Sequence, residues 1–218
     1  TYVNSAGCSA TSVPASVVEV GCNVNLSLKL FIQGYYSQSE QMLPVLYNQG
    51  IGNDTLVTDS ITVELHNATG SFALVNSQKT ILHTNGTASC TFNYSPLLNY
   101  VGNSYYVVIR HRNGLTTWSH NPVSFPTITT TYDFSLAANK AFGDNQIEIE
   151  PGVWAIYNGD LNGDENIDLL DNPILENDIK EFNFGYFNTD LNGDGNVDLI
   201  DVPVIEYNIY NFIFSIHP

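Results

Sequence analysis

The stretch GDLNGDENIDLLDNPILENDIKEF (159–182) is followed by a near-copy, TDLNGDGNVDLIDVPVIEYNIYNF (189–212). In each copy, oxygen-bearing side chains occupy positions 1, 3, 5, 7, 9 and 12 of a twelve-residue window. The first copy places Asp160, Asn162, Asp164, Asn166, Asp168 and Asp171 there, and the second Asp190, Asn192, Asp194, Asn196, Asp198 and Asp201. A loop that gathers this many carboxylates within a few Å carries a repulsion of kcal/mol order unless a cation offsets it. That requirement limits what the C-terminal part of the chain can fold into more than any other feature.

Oxygens at these six places are the ligand pattern of an EF-hand calcium loop. Calcium is a hard cation that takes six to eight oxygens, and alternate residues of a tight loop turn short side chains inward. Position 7 needs only its backbone carbonyl, so Asn166 and Asn196 need not use their side chains. Position 12 carries Asp where Glu is usual. Two Ca2+ ions are expected, one per loop. Position 6 calls for a glycine because the chain turns there with positive φ. Gly195 meets this requirement, while Glu165 departs from it and is expected to weaken or distort the first site. Position 8 is apolar in both loops (Ile167, Val197) and is expected to join the two loops in a short strand contact.

The duplication continues past the loops. Pro173, Ile174, Leu175, Glu176, Ile179, Phe182 and Phe184 recur as Pro203, Val204, Ile205, Glu206, Ile209, Phe212 and Phe214. The apolar spacing is helical, and each Pro falls in a first turn, where a missing N–H does no harm. Each unit is therefore a calcium loop with an exiting helix and no entering one. Residues 158–218 resemble the dockerin family in this respect, and the resemblance implies calcium-ligand roles for the twelve residues named above. One departure stands out. Dockerins often carry a small hydroxylated pair at loop positions 10 and 11, whereas here Leu169–Leu170 and Leu199–Ile200 occupy them. The tail IYNFIFSIHP is also strongly apolar, which predicts that the module packs against the rest of the chain.

The net charge is −16, and it is uneven: residues 158–218 hold 13 Asp/Glu against one Lys. This balance argues against nucleic acid or an anionic membrane as partner. No apolar run reaches about 18 residues, and no charged-then-apolar leader opens the sequence, so neither a membrane span nor a signal peptide is expected. The sequence is read as starting inside a longer precursor or after processing. Cys8 and Cys22 bracket a short segment suited to a disulfide, which fits an oxidising extracellular setting, with Cys90 free and buried in a strand.

Residues 1–157 read as β throughout, with 1–22 as an N-terminal extension. NVNLSLKLFI (23–32) and DSITVELHN (59–67) alternate apolar and polar residues. Asn85–Gly86 and Asn113–Gly114 sit between alternating runs as hairpin turns of type I′. Further strands are expected at 132–136, 145–152 and 153–160. The predicted fold is mostly β, an antiparallel sandwich of seven or more strands followed by the small α module. No Gly/Ser/Pro linker divides the two parts, so rigid docking is expected. The long connection 42–59 either carries function or simply crosses between sheets.

No catalytic motif emerges. His66, His83, His111, His120 and His217 are scattered, and Cys90 sits in an alternating strand. Glu148 and Glu150 share a strand face, as an acid–base pair would, but a solvated face explains them better. Tyr35–Tyr36, Tyr105–Tyr106 and Trp118 offer a sugar-stacking platform. The segments around KLFIQGYY, MLPVLYNQG and GNSYYVVIRHRNGLTTWSHNPVSF, together with the final FSIHP, look like a C-terminal region of large secreted or surface proteins of Bacteroidota-type bacteria. That resemblance implies an exported, non-catalytic module, exported by type IX secretion. The reading is a calcium-stabilised extracellular module for structure, docking or adhesion, with a surface or secretion-machinery protein as partner. The alternative is a carbohydrate-binding module with a glycan partner.

Overall fold

A computed structural model describes residues 23–94 and 100–218, together with the backbone of four two-residue strands ahead of them. These are β1 (Tyr2–Val3), β2 (Ser9–Ala10), β3 (Ser12–Val13) and β4 (Ser16–Val17). Cys8, Cys22 and the bridge expected between them lie outside the described residues. Next come β5 (Val24–Lys29), the ribbon β6 (Tyr36–Gln38) and β7 (Gln41–Met42), and the single-turn helix α1 (Val45–Asn48). They are followed by β8 (Val57–Asn67), β9 (Leu74–His83), β10 (Thr87–Phe92), β11 (Ser104–Arg110), β12 (Thr117–Trp118), β13 (Val123–Ser124) and β14 (Thr129–Asp133). The hairpin β15 (Ile147–Glu150) and β16 (Val153–Ala155) leads to helices α2 (Asn172–Lys180) and α3 (Val202–Tyr210).

The protein is mostly β. One sheet runs in the order β12-β11-β8-β9-β10-β5-β14, with β13 also paired to β11. It is not purely antiparallel as expected, because β14 lies parallel to β5, with Leu26 opposite Thr130 and Leu28 opposite Tyr132. Period-2 alternation writes the strands. β5 buries Val24, Leu26 and Leu28, and β10 buries Ala88, Cys90 and Phe92, with Cys90 opposite Leu26 across the ladder. Cys90 is a buried free thiol, as the strand pattern predicts. On β11 both faces are covered. Tyr105, Val107 and Ile109 join the main core, while Tyr106 and Val108 form a small outer cluster with Trp118.

The two Asn–Gly turns differ from expectation. Gly86 has φ 80°, but Asn85 is not among the residues with positive φ, so the turn is not type I′. Asn85 Oδ1 instead accepts from the Thr87 N–H (3.1 Å) and from the Thr87 hydroxyl (2.7 Å). Neither Asn113 nor Gly114 has positive φ, and a wider loop separates β11 from β12. The buried Asn113 side chain is spent on tertiary contacts, donating to the Tyr35 hydroxyl (3.1 Å) and to the Asn188 carbonyl (2.9 Å).

A second core belongs to the repeat. Leu161 and Leu191, Ile167 and Val197, and Leu175 and Ile205 are matching residues of the two copies, and they meet in one buried cluster with Leu115 from the β part. Duplicated sequence thus becomes an internal pair of units sharing a single apolar centre.

Candidate functional site

The two loops repeat one hydrogen-bond scheme. In the first, Asp171 Oδ1 accepts from the Leu161 and Asn162 N–H groups at 2.8 and 3.1 Å, and Oδ2 from the Asp168 N–H at 2.9 Å. In the second, Asp201 takes the Leu191, Asn192 and Asp198 N–H groups at 2.7, 3.0 and 2.9 Å. Asp160 accepts from Gly163 and Glu165, and Asp190 from Gly193 and Gly195. Asn162 Oδ1 accepts the Asp164 N–H at 2.8 Å, and Asn192 Oδ1 accepts the Asp194 N–H at the same distance. Asp164 and Asp194 likewise cap Asn166 and Asn196, and Asp168 and Asp198 cap Leu170 and Ile200. All twelve residues therefore take the same place in their two loops.

Positions 1 and 12 are buried carboxylates: Asp160, Asp171, Asp190 and Asp201. Burial pushes Asp160 up to about 6, and the charges of Asp171 and Asp164 add to the rise against the Gly163 and Glu165 N–H groups. Burial also pushes Asp201 up to about 6, with the Asp190 charge adding to it. Asp171 and Asp190 are raised for the same first reason. No Lys, Arg or His lies within ion-pair distance of these four among the described residues. Nor do three or more His, Cys, Asp or Glu gather there as a metal cage. A calcium shell built on these loops would draw on Asn side chains and a position-7 carbonyl as well.

The position-8 residues do not pair the loops with each other. The Ile167 N–H donates to the Ile213 carbonyl (2.9 Å) and the Val197 N–H to the Asn183 carbonyl (3.0 Å). Each loop is thus zipped to the chain leaving the other unit's helix, with bridges Asn166–Phe214 and Phe184–Asn196. Reciprocal pairing of this kind needs both copies, which explains why the exits of the two helices were duplicated along with the loops.

Glu165 stands at φ 70° and Gly195 at φ 93°, so both loops make the same left-handed turn. What differs is the surroundings. A Cβ on Gly195 would lie 2.5 Å from the Asn48 carbonyl, whereas the Glu165 side chain has space to reach Arg110 at 3.4 Å. Gly193 is equally confined, against Val45 and Tyr35, while nothing crowds Gly163. The second loop is therefore pressed against the β part, and the first is freer.

Polar contacts fasten this junction. Asn158 Nδ2 donates to the Leu191 carbonyl (3.0 Å), its Oδ1 accepts the Gly34 N–H (3.1 Å), and Asn208 donates to the Asn158 carbonyl (2.7 Å). A Cβ on Gly34 would sit 2.1 Å from the Leu191 carbonyl, so glycine is required for this approach. Arg112 donates to Asp59 (2.9 Å), to the Tyr35 hydroxyl (2.7 Å) and to the Phe187 carbonyl. His111 Nε2 stands 3.2 Å from Asp59, close enough to pair but without hydrogen-bond geometry. The connection 42–59 supplies α1, whose end meets the second loop through Asn48 and Gln49. No sequence signal marked Gln49 or Arg112, because their role depends on chain segments more than 50 residues apart.

The apolar pairs at loop positions 10 and 11 are solvent-exposed: Leu169 and Leu170 in the first loop, Leu199 (75%) and Ile200 in the second. So are Phe182, Phe184 and Tyr210, with Phe212 84% exposed. The tail packs in part. Ser215 hydrogen-bonds the Thr116 carbonyl, and Ile216 covers Gly143, while the rings of Tyr210 and Phe212 face solvent. Leu169, Leu170, Tyr210, Phe212 and Phe214 border a cleft of about 770 Å³.

The aromatic residues nominated as a sugar platform are mostly inside: Tyr35, Tyr105, Tyr106 and Trp118 are buried, and Tyr36 is half-buried. Glu148 caps the Gly152 N–H in its own hairpin turn, and Glu150 accepts the Ser39 N–H of the distant β6–β7 turn, so both are spent on capping backbone. No helix among the described residues is long and apolar enough to cross a membrane. No protein-family model matches this chain, and no curated protein matches it significantly.

Proposed function

We propose that this chain is a non-catalytic, calcium-stabilised extracellular module that docks or anchors a secreted surface protein. The fold in this reading is a β-sandwich (1–157) carrying a dockerin-like module of two calcium loop–helix units (158–218). Asp160, Asn162, Asp164, Asn166, Asp168 and Asp171 hold one ion, and Asp190, Asn192, Asp194, Asn196, Asp198 and Asp201 the other. The observation that carries it is the pair of buried carboxylates in each loop, raised by burial and, among the described residues, without a cationic side chain within ion-pair distance. A divalent cation supplies the missing charge and returns these groups to their ionised form.

The docking role is supported by the apolar face around Leu169, Leu170 and Phe212. Twelve large apolar residues of 158–218 are exposed, more than a free surface usually carries. The partner in this reading is a surface or secretion-machinery protein outside the cell. Calcium calorimetry tests the metal half: two ions per chain are expected, and none would end the reading. A photo-crosslinking residue at Phe212, compared with one at exposed Thr127, tests the docking half on intact cells. A discrete adduct from Phe212 alone is expected; equal or no adducts from both would remove the docking role.

A further inference from the structure

We infer that Gln49 is a positioning residue for the second calcium loop, and that it links occupancy of that loop to the buried ion pair of the β part. This inference rests on the calcium reading above and concerns residues outside the loops.

Gln49 closes α1 and is 6% exposed. Its Nε2 donates to Asp190 Oδ2 at 2.6 Å, and its Oε1 accepts from Arg112 Nη2 at 3.1 Å. Arg112 in turn donates through Nε to Asp59 Oδ2 at 2.9 Å. The amide has only one workable orientation in this chain. A guanidinium has no acceptor, so the oxygen of Gln49 must face Arg112 and its NH₂ must face Asp190. Arg112 thereby fixes which end of Gln49 meets the loop, and Asp59 fixes Arg112.

The effect on Asp190 is specific. Oδ2 accepts from both Gln49 and the Gly195 N–H (3.0 Å), which uses both of its lone pairs. Oδ1 accepts from the Gly193 N–H alone (2.8 Å) and keeps one free. Gln49 thus selects the oxygen left for an ion at position 1. In the first loop Asp160 accepts one N–H on each oxygen, both from its own loop, and has no counterpart of Gln49 among the described residues. The backbone entering the second loop is held from the same side, since Asn113 donates to the carbonyls of Asn188 (2.9 Å) and Asp190 (3.3 Å).

Partners that orient a metal ligand from behind are each worth roughly 10–100-fold in affinity. The second loop should therefore bind calcium more tightly than the first. By reciprocity of coupling, an ion in the second loop tightens the Asp59–Arg112–Gln49 chain by the same factor.

The test follows the Glu165 and Gly195 amides of the full chain by NMR during a calcium titration, because each N–H donates to its own loop's first Asp. In the wild type the Gly195 amide should saturate at lower calcium than Glu165. Gln49→Met keeps the length and removes the donor; it should raise the Gly195 midpoint by about 10–100-fold and leave Glu165 in place. Gln49→Asn, one methylene short, is the milder variant should Gln49→Met not fold, and a smaller shift of Gly195 alone is expected from it. An unmoved Gly195 midpoint, or equal shifts of both amides, would overturn the inference and reduce Gln49 to general stability. A wild type in which neither amide responds to calcium would remove the calcium reading itself.

Discussion

Gly195 lies against the Asn48 carbonyl so closely that a Cβ would stand 2.5 Å from it, at φ 93°. Gly195→Ala combines a backbone clash with a left-handed strain of about 1–2 kcal/mol, and it separates the second loop from α1. A loss of several °C in Tm is expected. Glu165→Gly at the matching position relieves about 1 kcal/mol of left-handed strain and gives up an Arg110 pair worth ~0–1 kcal/mol, so its Tm should stay within about 2 °C of wild type. Thermal unfolding of the two variants side by side measures the asymmetry of the loops.

Calcium should act as a folding clamp. At ~1 mM free ion a site with a Kd near 1 μM contributes about 4 kcal/mol by mass action, and a site 10–100-fold weaker about 1.4–2.7 kcal/mol less. For a chain of this size about 4 kcal/mol amounts to roughly 10 °C in Tm. Scans in calcium and in EDTA should differ by that order, and identical scans would leave the loops as acidic surface.

Asp171→Ala and Asp201→Ala should each abolish one ion in calorimetry. Each also leaves three backbone N–H groups of its loop without their acceptor. The cost should exceed that of Asp164→Ala, whose side chain is exposed, by about 1–3 kcal/mol in EDTA, where no metal term enters.

Asp59 couples the junction to pH. Burial alone would raise its pKa, but His111, Arg112 and the Ser60 N–H outweigh burial and hold it at about 2, below the ordinary 3.8. A depressed folded value contributes stability that is present above about pH 4 and is lost as pH falls through 4 toward 2. The span corresponds to about 2 kcal/mol. Asp59→Ala strands the Arg112 guanidinium in the junction and should cost about 3–5 kcal/mol at neutral pH. Acid denaturation of wild type and variant checks both numbers, and the variant should lose the pH 4 to 2 slope.

Much of the site could be read before any coordinates. Spacing alone marked the two loops as equivalent, because a twelve-residue loop imposes its own local order: Asp164 caps Asn166 as Asp194 caps Asn196. The strands of the main sheet were legible for the same local reason, since alternation at period 2 is a property of a few neighbouring residues. The turns were less so. Asn113–Gly114 carries the strongest hairpin signal known, yet its Asn side chain is drawn to Tyr35 and Asn188, contacts that no short window contains.

The repeat by itself determined that two loop–helix units exist, because the helical apolar spacing and the loop residues recur 30 residues apart; that their matching apolar residues meet in one core with Leu115 came from the tertiary structure. Only the tertiary structure decided how the units zip, Ile167 to Ile213 and Val197 to Asn183, and which loop leans on the sheet. It alone gave Asp190 a side-chain donor from Gln49, with no counterpart at Asp160 among the described residues, and it left Phe212 facing solvent. These outcomes turn on distances between segments far apart in the chain. A loop's ligand spacing is written in its own residues, but its neighbours are chosen by how the whole chain closes on itself.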